Sequence, residues 1–373
     1  MEKLARLFLE DGSVFEGRSF GYDKSVAGEV VFNTAMMGYP ESLTDPSYAG
    51  QILVMTYPLV GNYGVPERSF TPEGISTYME SERIHVEALV LFDYCKDFSH
   101  WNAKESLRDW LLSERIPAAY GFDTRAITKL LREKGSMRGK LILGSAAQGA
   151  ADYVDPASIP YVDPNNTNQV ANVSCREIIT YDRQMGETSV NPKKKVVLVD
   201  CGVKHNIIRC LINRNVTVIR VPWDYDFHQL QYDGLFISNG PGNPALCTIT
   251  IDHIRQALQE DKPICGICMG NQLLGAAAGA EIFKLKYGHR GHNQPVRKEG
   301  TQICYITSQN HGYALDLKNL PEDWQPLYTN LNDGTNEGIR HKTKPFFSSQ
   351  FHPEACSGPT DTMNIFDEFI ASL

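Results

Sequence analysis

The chain has 373 residues, of which 42% are apolar and 21% charged. That is the composition of an ordinary globular protein, long enough for two domains with separate cores. A formal charge of −8 argues against the basic surface that sequence-independent nucleic-acid binding requires.

The first residues carry charges at Glu2, Lys3, Arg6, Glu10 and Asp11. These interrupt any apolar run, so no secretory h-region is expected. No apolar stretch approaches the roughly 20 residues that span a bilayer. The nine cysteines are scattered singly apart from Cys265 and Cys268. Such an odd, dispersed set fits a reducing cytoplasm better than a disulfide framework.

The first half reads as a β-rich α/β domain over residues 1–150. Apolar runs at 4–9 and 13–17 flank Asp11-Gly12, a short hairpin signal. Further strands are predicted at 29–32, 51–56 and 86–92. The spacing of apolar residues predicts helices over 102–112 and 124–134, the second with Asp123-Thr124 at its start. Residues 151–192, rich in Ala, Asp, Pro and Asn and ending near a lysine run, read as a linker.

From residue 193 the pattern changes. A β-branched run at 196–200, a helical pattern at 205–215 and a second β run at 216–221 make a βαβ unit, which implies parallel strands. Strands at 234–238 and 263–267, with a helix near 251–259, continue it. The expected fold of residues 193–373 is a mostly parallel, doubly wound α/β sheet. Active sites of such sheets gather at the carboxyl ends of the strands.

One such end carries Gly266-Ile267-Cys268-Met269-Gly270, a Gly-x-nucleophile-x-Gly turn from strand to helix. The glycines relieve crowding in the tight turn. The sulfur is placed at a helix N-terminus, which favours thiolate. The backbone N–H of Met269 is then a candidate oxyanion donor. Cys265 and Cys268 also have the C-x-x-C spacing of a redox pair or half a zinc site. Cys265 lies inside the strand, however, and no second C-x-x-C completes a zinc set. A buried core cysteine is the other reading of Cys268.

A thiol nucleophile needs a base, and the base needs an orienting acceptor. His352 and Glu354 lie two apart in Phe-His-Pro-Glu after an apolar run at 345–351, so in extended chain they project to one side. His352 is the candidate base and Glu354 its orienter. His289 and His292 in Gly-His-Arg-Gly-His have a metal-like look, but no carboxylate or cysteine is near in sequence. They are read as an ordered active-site loop.

At Cys268, His352 and Glu354 the chain resembles the class I glutamine amidotransferases. Asn239-Gly240-Pro241-Gly242-Asn243-Pro244 resembles that family's oxyanion loop. Gly288–Val296 and Ser308–Tyr313 resemble the versions found in the small subunits of carbamoyl phosphate synthetases. So do Val31–Gln51 and Gly121–Thr128 in the first half, which becomes the expected partner-binding domain. The resemblance covers essentially the whole chain.

It implies that L-glutamine is hydrolysed to glutamate and ammonia by the triad Cys268, His352 and Glu354. It implies that Ser47, Gly240, Gly242, Met269, Gln272, Asn310, Gly312 and Tyr313 surround the glutamine. Tyr313 stands where relatives often carry Phe. The ammonia would pass to a large synthetase subunit, expected as a separate cytoplasmic polypeptide in a heterodimer. That partner makes carbamoyl phosphate from bicarbonate and two ATP for arginine and pyrimidine synthesis. No cofactor is expected in this chain. It contains no phosphate-cradling Gly-x-x-x-x-Gly-Lys loop, so ATP and divalent metal are assigned to the partner. Two rivals stand beside this: a non-catalytic scaffold that activates a partner, and a cysteine peptidase or deglycase on a similar sheet.

Overall fold

The computed structural model describes residues 3–183 and 193–373. The last part of the expected linker, 184–192, lies outside the described residues. The chain packs as two compact units, Met1–Ser69 with Glu82–Asn166, and Phe70–Ser81 with Thr167–Leu373. This differs from a division at 150 and 193. Lys140 Nζ donates to the Pro156 carbonyl (2.9 Å) and the Tyr161 hydroxyl to that of Leu9 (3.0 Å), tying 151–166 to the first unit. Ile75, 1% exposed, is buried in a core of the second unit. Composition marks where the chain is polar, whereas packing decides which unit a segment joins.

The first unit is built on a closed barrel of seven strands. In order around it these are Leu4–Leu9, Val14–Ser19, Ala118–Tyr120, Ala88–Leu91, Gln51–Met55, Val26–Asn33 and Met137–Leu143. The expected hairpin is present, with Phe8 opposite Val14 and Gly12 at φ +90° in the turn. Closure leaves no open sheet edge. Leu7, Val30, Ile52, Leu89 and Leu141 are completely buried. The helix expected over 102–112 is shorter. Ala103–Glu105 is a strand, and the helix runs Leu107–Ser113. Ser106 sets its start, because its hydroxyl accepts the Asp109 N–H (3.1 Å) and so caps the first turn. Thr124–Lys134 is helical as expected, capped by Asp123.

The second unit holds a ten-stranded sheet. Thr217–Pro222, Lys195–Asp200, Gly234–Ile237, Ile264–Ile267 and Phe346–Ser349 run parallel in that order. The remaining five strands, Ile179–Tyr181 at one edge and Asn336–His341, Trp324–Asn330, Glu281–Lys298 and Cys304–Asp316 at the other, pair antiparallel. The sheet is therefore mixed rather than mostly parallel. Between residues 298 and 346 the connections are short and carry no helix, and a parallel return needs a crossover.

Alternation along the strands divides the core. Val196 and Leu198 pack with Ile207, Ile208 and Leu211 of the helix His205–Ile212 and with Phe366 and Phe369 of Asn364–Ala371. Val197 and Val199 belong to the opposite core, with Ile251 and Ile254 of Thr248–Ala257 and Leu273 and Leu274 of Met269–Ala278. Among the described residues no helix is long and apolar enough to cross a membrane.

Candidate active site

Four adjacent parallel strands end at one edge, and each delivers a polar residue there. Lys195–Asp200 leads to Lys204, Gly234–Ile237 to Asn239 and Gly240, Ile264–Ile267 to Cys268, and Phe346–Ser349 to His352. Ile267 is directly opposite Ser349, so Cys268 and His352 leave neighbouring strands.

Cys268 is strained. Its φ of +53° is shared in sign by only two other non-glycine residues among those described, Arg115 and Asn215. A positive φ costs a β-substituted residue on the order of 1–3 kcal/mol, and such strain concentrates at functional turns. The turn is fixed on both sides. Cys268 N–H donates to the Ser349 carbonyl (2.8 Å), and the Cys268 carbonyl accepts Gln272 N–H (3.2 Å), opening the helix. Gly270 has no room for a β-carbon, which would fall on the Ile237 carbonyl; one on Gly266 would lie 2.5 Å from backbone atoms of Gly270. Cys268 is 2% exposed, and its thiol donates to the Asn310 carbonyl (3.7 Å).

His352 and Glu354 are also buried. His352 Nδ1 lies 2.7 Å from Glu354 Oε1, so with an ionised carboxylate Nδ1 carries the proton. Nε2 makes no hydrogen bond within the described residues, and the Cys268 sulfur lies close enough to act on the ring. Burial opposes charge on the imidazole, but Glu354 and then Cys268 outweigh it, raising the His352 pKa. Burial likewise opposes ionisation of Glu354, but Lys204 and His352 overcome it and hold the carboxyl at about 2. An ion pair in such a site strengthens as water is excluded.

Lys204 was not singled out from the sequence. Its Nζ lies 3.0 Å from Glu354 Oε1, and Asn206 Nδ2 donates to the Glu354 carbonyl. The signal is a lysine at the N-cap of an apolar-periodic helix, where Ser, Thr, Asp or Asn is favoured. Gln350 was also missed. Its buried Oε1 accepts Asn271 Nδ2 (2.9 Å) and Gln272 Nε2 (3.1 Å).

The second unit holds ten of the candidate residues. Met269 and Gln272 lie in the first turns of the nucleophile's helix. Gln272 Nε2 also donates to the Tyr313 carbonyl (2.9 Å). Asn310, Gly312 and Tyr313 lie on the strand Cys304–Asp316, where the Asn310 carbonyl takes the thiol. Gly240 approaches Cys201 too closely for a β-carbon, and Gly242 has φ +80°. Ser47 belongs to the first unit, in the short 3-10 helix Pro46–Tyr48, where its N–H donates to Asp45 Oδ1 (2.9 Å).

Gly288–His292 is not a loop but part of the strand Glu281–Lys298, with register shifts on either side of His289–Gly291. The carboxylates missing from its sequence neighbourhood arrive from later strands. His289 contacts Asp333 (2.8 Å) and Glu337 (3.3 Å), and donor atoms of His289, His311 and Glu337 lie within 4.8 Å of one another. Both His289 nitrogens face carboxylates. Burial opposes its charge, but the Asp333 and Glu337 hydrogen bonds raise its pKa to about 9. Cys265 is wholly buried, and burial pushes its thiol far up, leaving it inert. Among the described residues no disulfide joins any of the nine cysteines.

Residues 197–372 match the family model described as glutamine amidotransferase class-I, and residues 7–141 match the carbamoyl-phosphate synthase small chain, CPSase domain. The chain belongs to the carbamoyl-phosphate synthase small-chain family. Multifunctional protein CAD of Squalus acanthias is 50% identical over 369 residues, covering 98% of this chain and 16% of that protein. Multifunctional protein URA2 of Saccharomyces cerevisiae is 49% identical over 389 residues, covering 100% of this chain and 18% of that protein. The mitochondrial carbamoyl-phosphate synthase [ammonia] of Mus musculus is 48% identical over 374 residues, covering 100% and 24%. This small-chain sequence thus spans between about one-sixth and one-quarter of the relatives it matches.

Proposed function

We propose that this chain hydrolyses the side-chain amide of L-glutamine and hands the ammonia to a carbamoyl-phosphate synthetase partner. The carrying observation is the aligned set Cys268, His352, Glu354 at two adjacent strand ends, with Nδ1 committed to Glu354 at 2.7 Å. His352 takes the Cys268 proton at Nε2, and the sulfur attacks the γ-carbonyl. The developing oxyanion is received by N–H groups near Met269 and Gly242. His352 then protonates the departing ammonia, leaving a γ-glutamyl thioester. Water, deprotonated by His352, releases glutamate and the thiol.

Ser47, Gly240, Gly242, Met269, Gln272, Asn310, Gly312 and Tyr313 are assigned to the glutamine. With Gln272 Nε2 tied to Tyr313 and Gln350, its Oε1 is the atom left to accept from the substrate. The first unit is assigned to partner binding, and ATP and divalent metal to the synthetase. Nine dispersed cysteines with no disulfide among the described residues support a cytoplasmic setting. Carbamoyl phosphate would serve arginine and pyrimidine synthesis.

A second reading has a specific observation behind it: two relatives carry ammonia in their names, as a non-catalytic scaffold would. Cys268, strained into the turn beside the imidazole of His352, favours hydrolysis. The test is Cys268→Ser in the complex with the synthetase. Glutamine-dependent carbamoyl phosphate synthesis should fall at least about a thousandfold, with ammonia-dependent synthesis retained. Undiminished glutamine use would remove Cys268 as the nucleophile.

A further inference from the structure

The carboxylate of Glu354 is held from a side that the triad does not explain. Lys204 is the N-cap of the helix His205–Ile212 and makes no side-chain cap hydrogen bond. A lysine there sets a cation against the positive end of the helix, opposite to the usual preference. Its ammonium instead serves Glu354, at 3.0 Å.

The missing cap comes from residues 70–81. The Glu80 carbonyl accepts His205 N–H (2.8 Å), and Glu80 Oε2 accepts Asn206 N–H (3.0 Å). Glu80 is 0% exposed, and its Oε1 lies 3.7 Å from Arg209 Nη2, one turn along the helix. Arg209 in turn donates from Nε to Asn206 Oδ1 (2.9 Å) and from Nη1 to the Met79 carbonyl (3.3 Å). Asn206 completes the path, because its Nδ2 donates to the Glu354 carbonyl. Glu80 thus holds Asn206 directly and Lys204 through the helical turn they share, and these two residues grip Glu354 at the backbone and at the side chain.

We propose that Glu80 is a positioning residue for the glutaminase triad, fixing Glu354 through the first helical turn that carries Lys204 and Asn206. This rests on the glutaminase reading given above. A negative charge at the helix N-terminus offsets the lysine that the site requires there. Residues 69 and 82 on either side of the segment belong to the first unit. One stretch of chain therefore continues the small-chain domain and caps the helix beside the triad.

The test is a histidine titration of the full chain by 15N NMR, run with glutaminase kinetics. His352 faces Glu354, Cys268 and Lys204, and His311 feels its charge. In Glu80→Ala the carboxylate loses its fixed place. The His352 midpoint should fall by about one pH unit, roughly a tenfold change in the proton equilibrium. In the same variant, kcat for glutamine should fall about tenfold, with KM within about twofold. Glu80→Gln keeps an acceptor for Asn206 N–H and should show less than half the midpoint change. Asn206→Ala cuts the same path beyond Glu80 and should reproduce the fall; it decides the matter if Glu80→Ala does not fold. An unmoved midpoint in Glu80→Ala or Asn206→Ala overturns the proposal. So do equal changes in Glu80→Ala and Glu80→Gln, which would mean charge acting at a distance. A chain that turns over no glutamine yet shows the midpoint pattern keeps the positioning role and loses only the glutaminase reading.

Discussion

Two cysteines three residues apart end up in opposite circumstances. Cys268 sits at the strained turn beside an imidazole, whereas Cys265 fills the core with its thiol pushed up by burial. Nucleophilicity follows thiolate, and thiolate follows the surroundings rather than the residue type. Cys265→Ala should therefore keep glutaminase activity within about threefold and lose about 1 kcal/mol of stability, since only a small apolar sulfur is removed. Denaturant unfolding with glutamate release checks both, and a loss of activity comparable to that of Cys268→Ser would restore a redox role. The Cys268 elbow and the Phe-His-Pro-Glu segment were legible because their residue types and spacings are themselves the chemistry. Lys204, Asn206, Glu80 and Gln350 were not, because each acts through a partner at least 78 positions away in the chain.

An element enters the site only where its neighbours leave room. The helix Met269–Ala278 packs so closely on Gly234–Ile237 that Gly270 meets the Ile237 carbonyl. Overpacking of this kind forces backbone shifts costing about 1–3 kcal/mol. Gly270→Ala is expected to lower stability by that amount and glutaminase activity by at least about tenfold, because the same shift moves Cys268. Wild-type turnover with a wild-type unfolding midpoint would show that the turn tolerates a methyl group. Strands and helices of the βαβ portion followed their periodicity, since period 2 and period 3.6 patterns report burial directly. The helix expected at 102–112 failed in its first residues because Ser106 offers the backbone a cap, which periodicity alone does not weigh. The strand Glu281–Lys298 was missed as a strand because its register shifts break the alternation that would announce it.

At the scale of the whole molecule, buried charge makes stability depend on pH. His289 has its pKa raised to about 9 against burial by Asp333 and Glu337. A histidine raised in the folded state contributes stability that is complete below its unfolded value near 6.5 and disappears as pH climbs through 9. Unfolding free energy should therefore fall between pH 6.5 and 9, with His289 accounting for on the order of 1–3 kcal/mol. Denaturant titrations at both pH values should show a smaller fall in His289→Gln. An equal fall in the variant would assign the effect elsewhere. Glu337, fully buried, is pushed up by its own burial despite His289, so the cluster titrates as a unit.

The amino-acid sequence alone determined that a β-rich half precedes a βαβ half, that a cysteine occupies a Gly-x-Cys-x-Gly turn, and that a histidine and a glutamate share one side of a later strand end. Those are local facts, set by side-chain periodicity and by the few residues that fit a tight turn. Tertiary structure decided that the first sheet closes into a barrel, that the second is mixed, and that residues 70–81 join the second unit. It also decided which lysine, asparagine and glutamate surround the buried carboxylate. These depend on long-range pairing and on room left between packed elements, and no short window of sequence contains either.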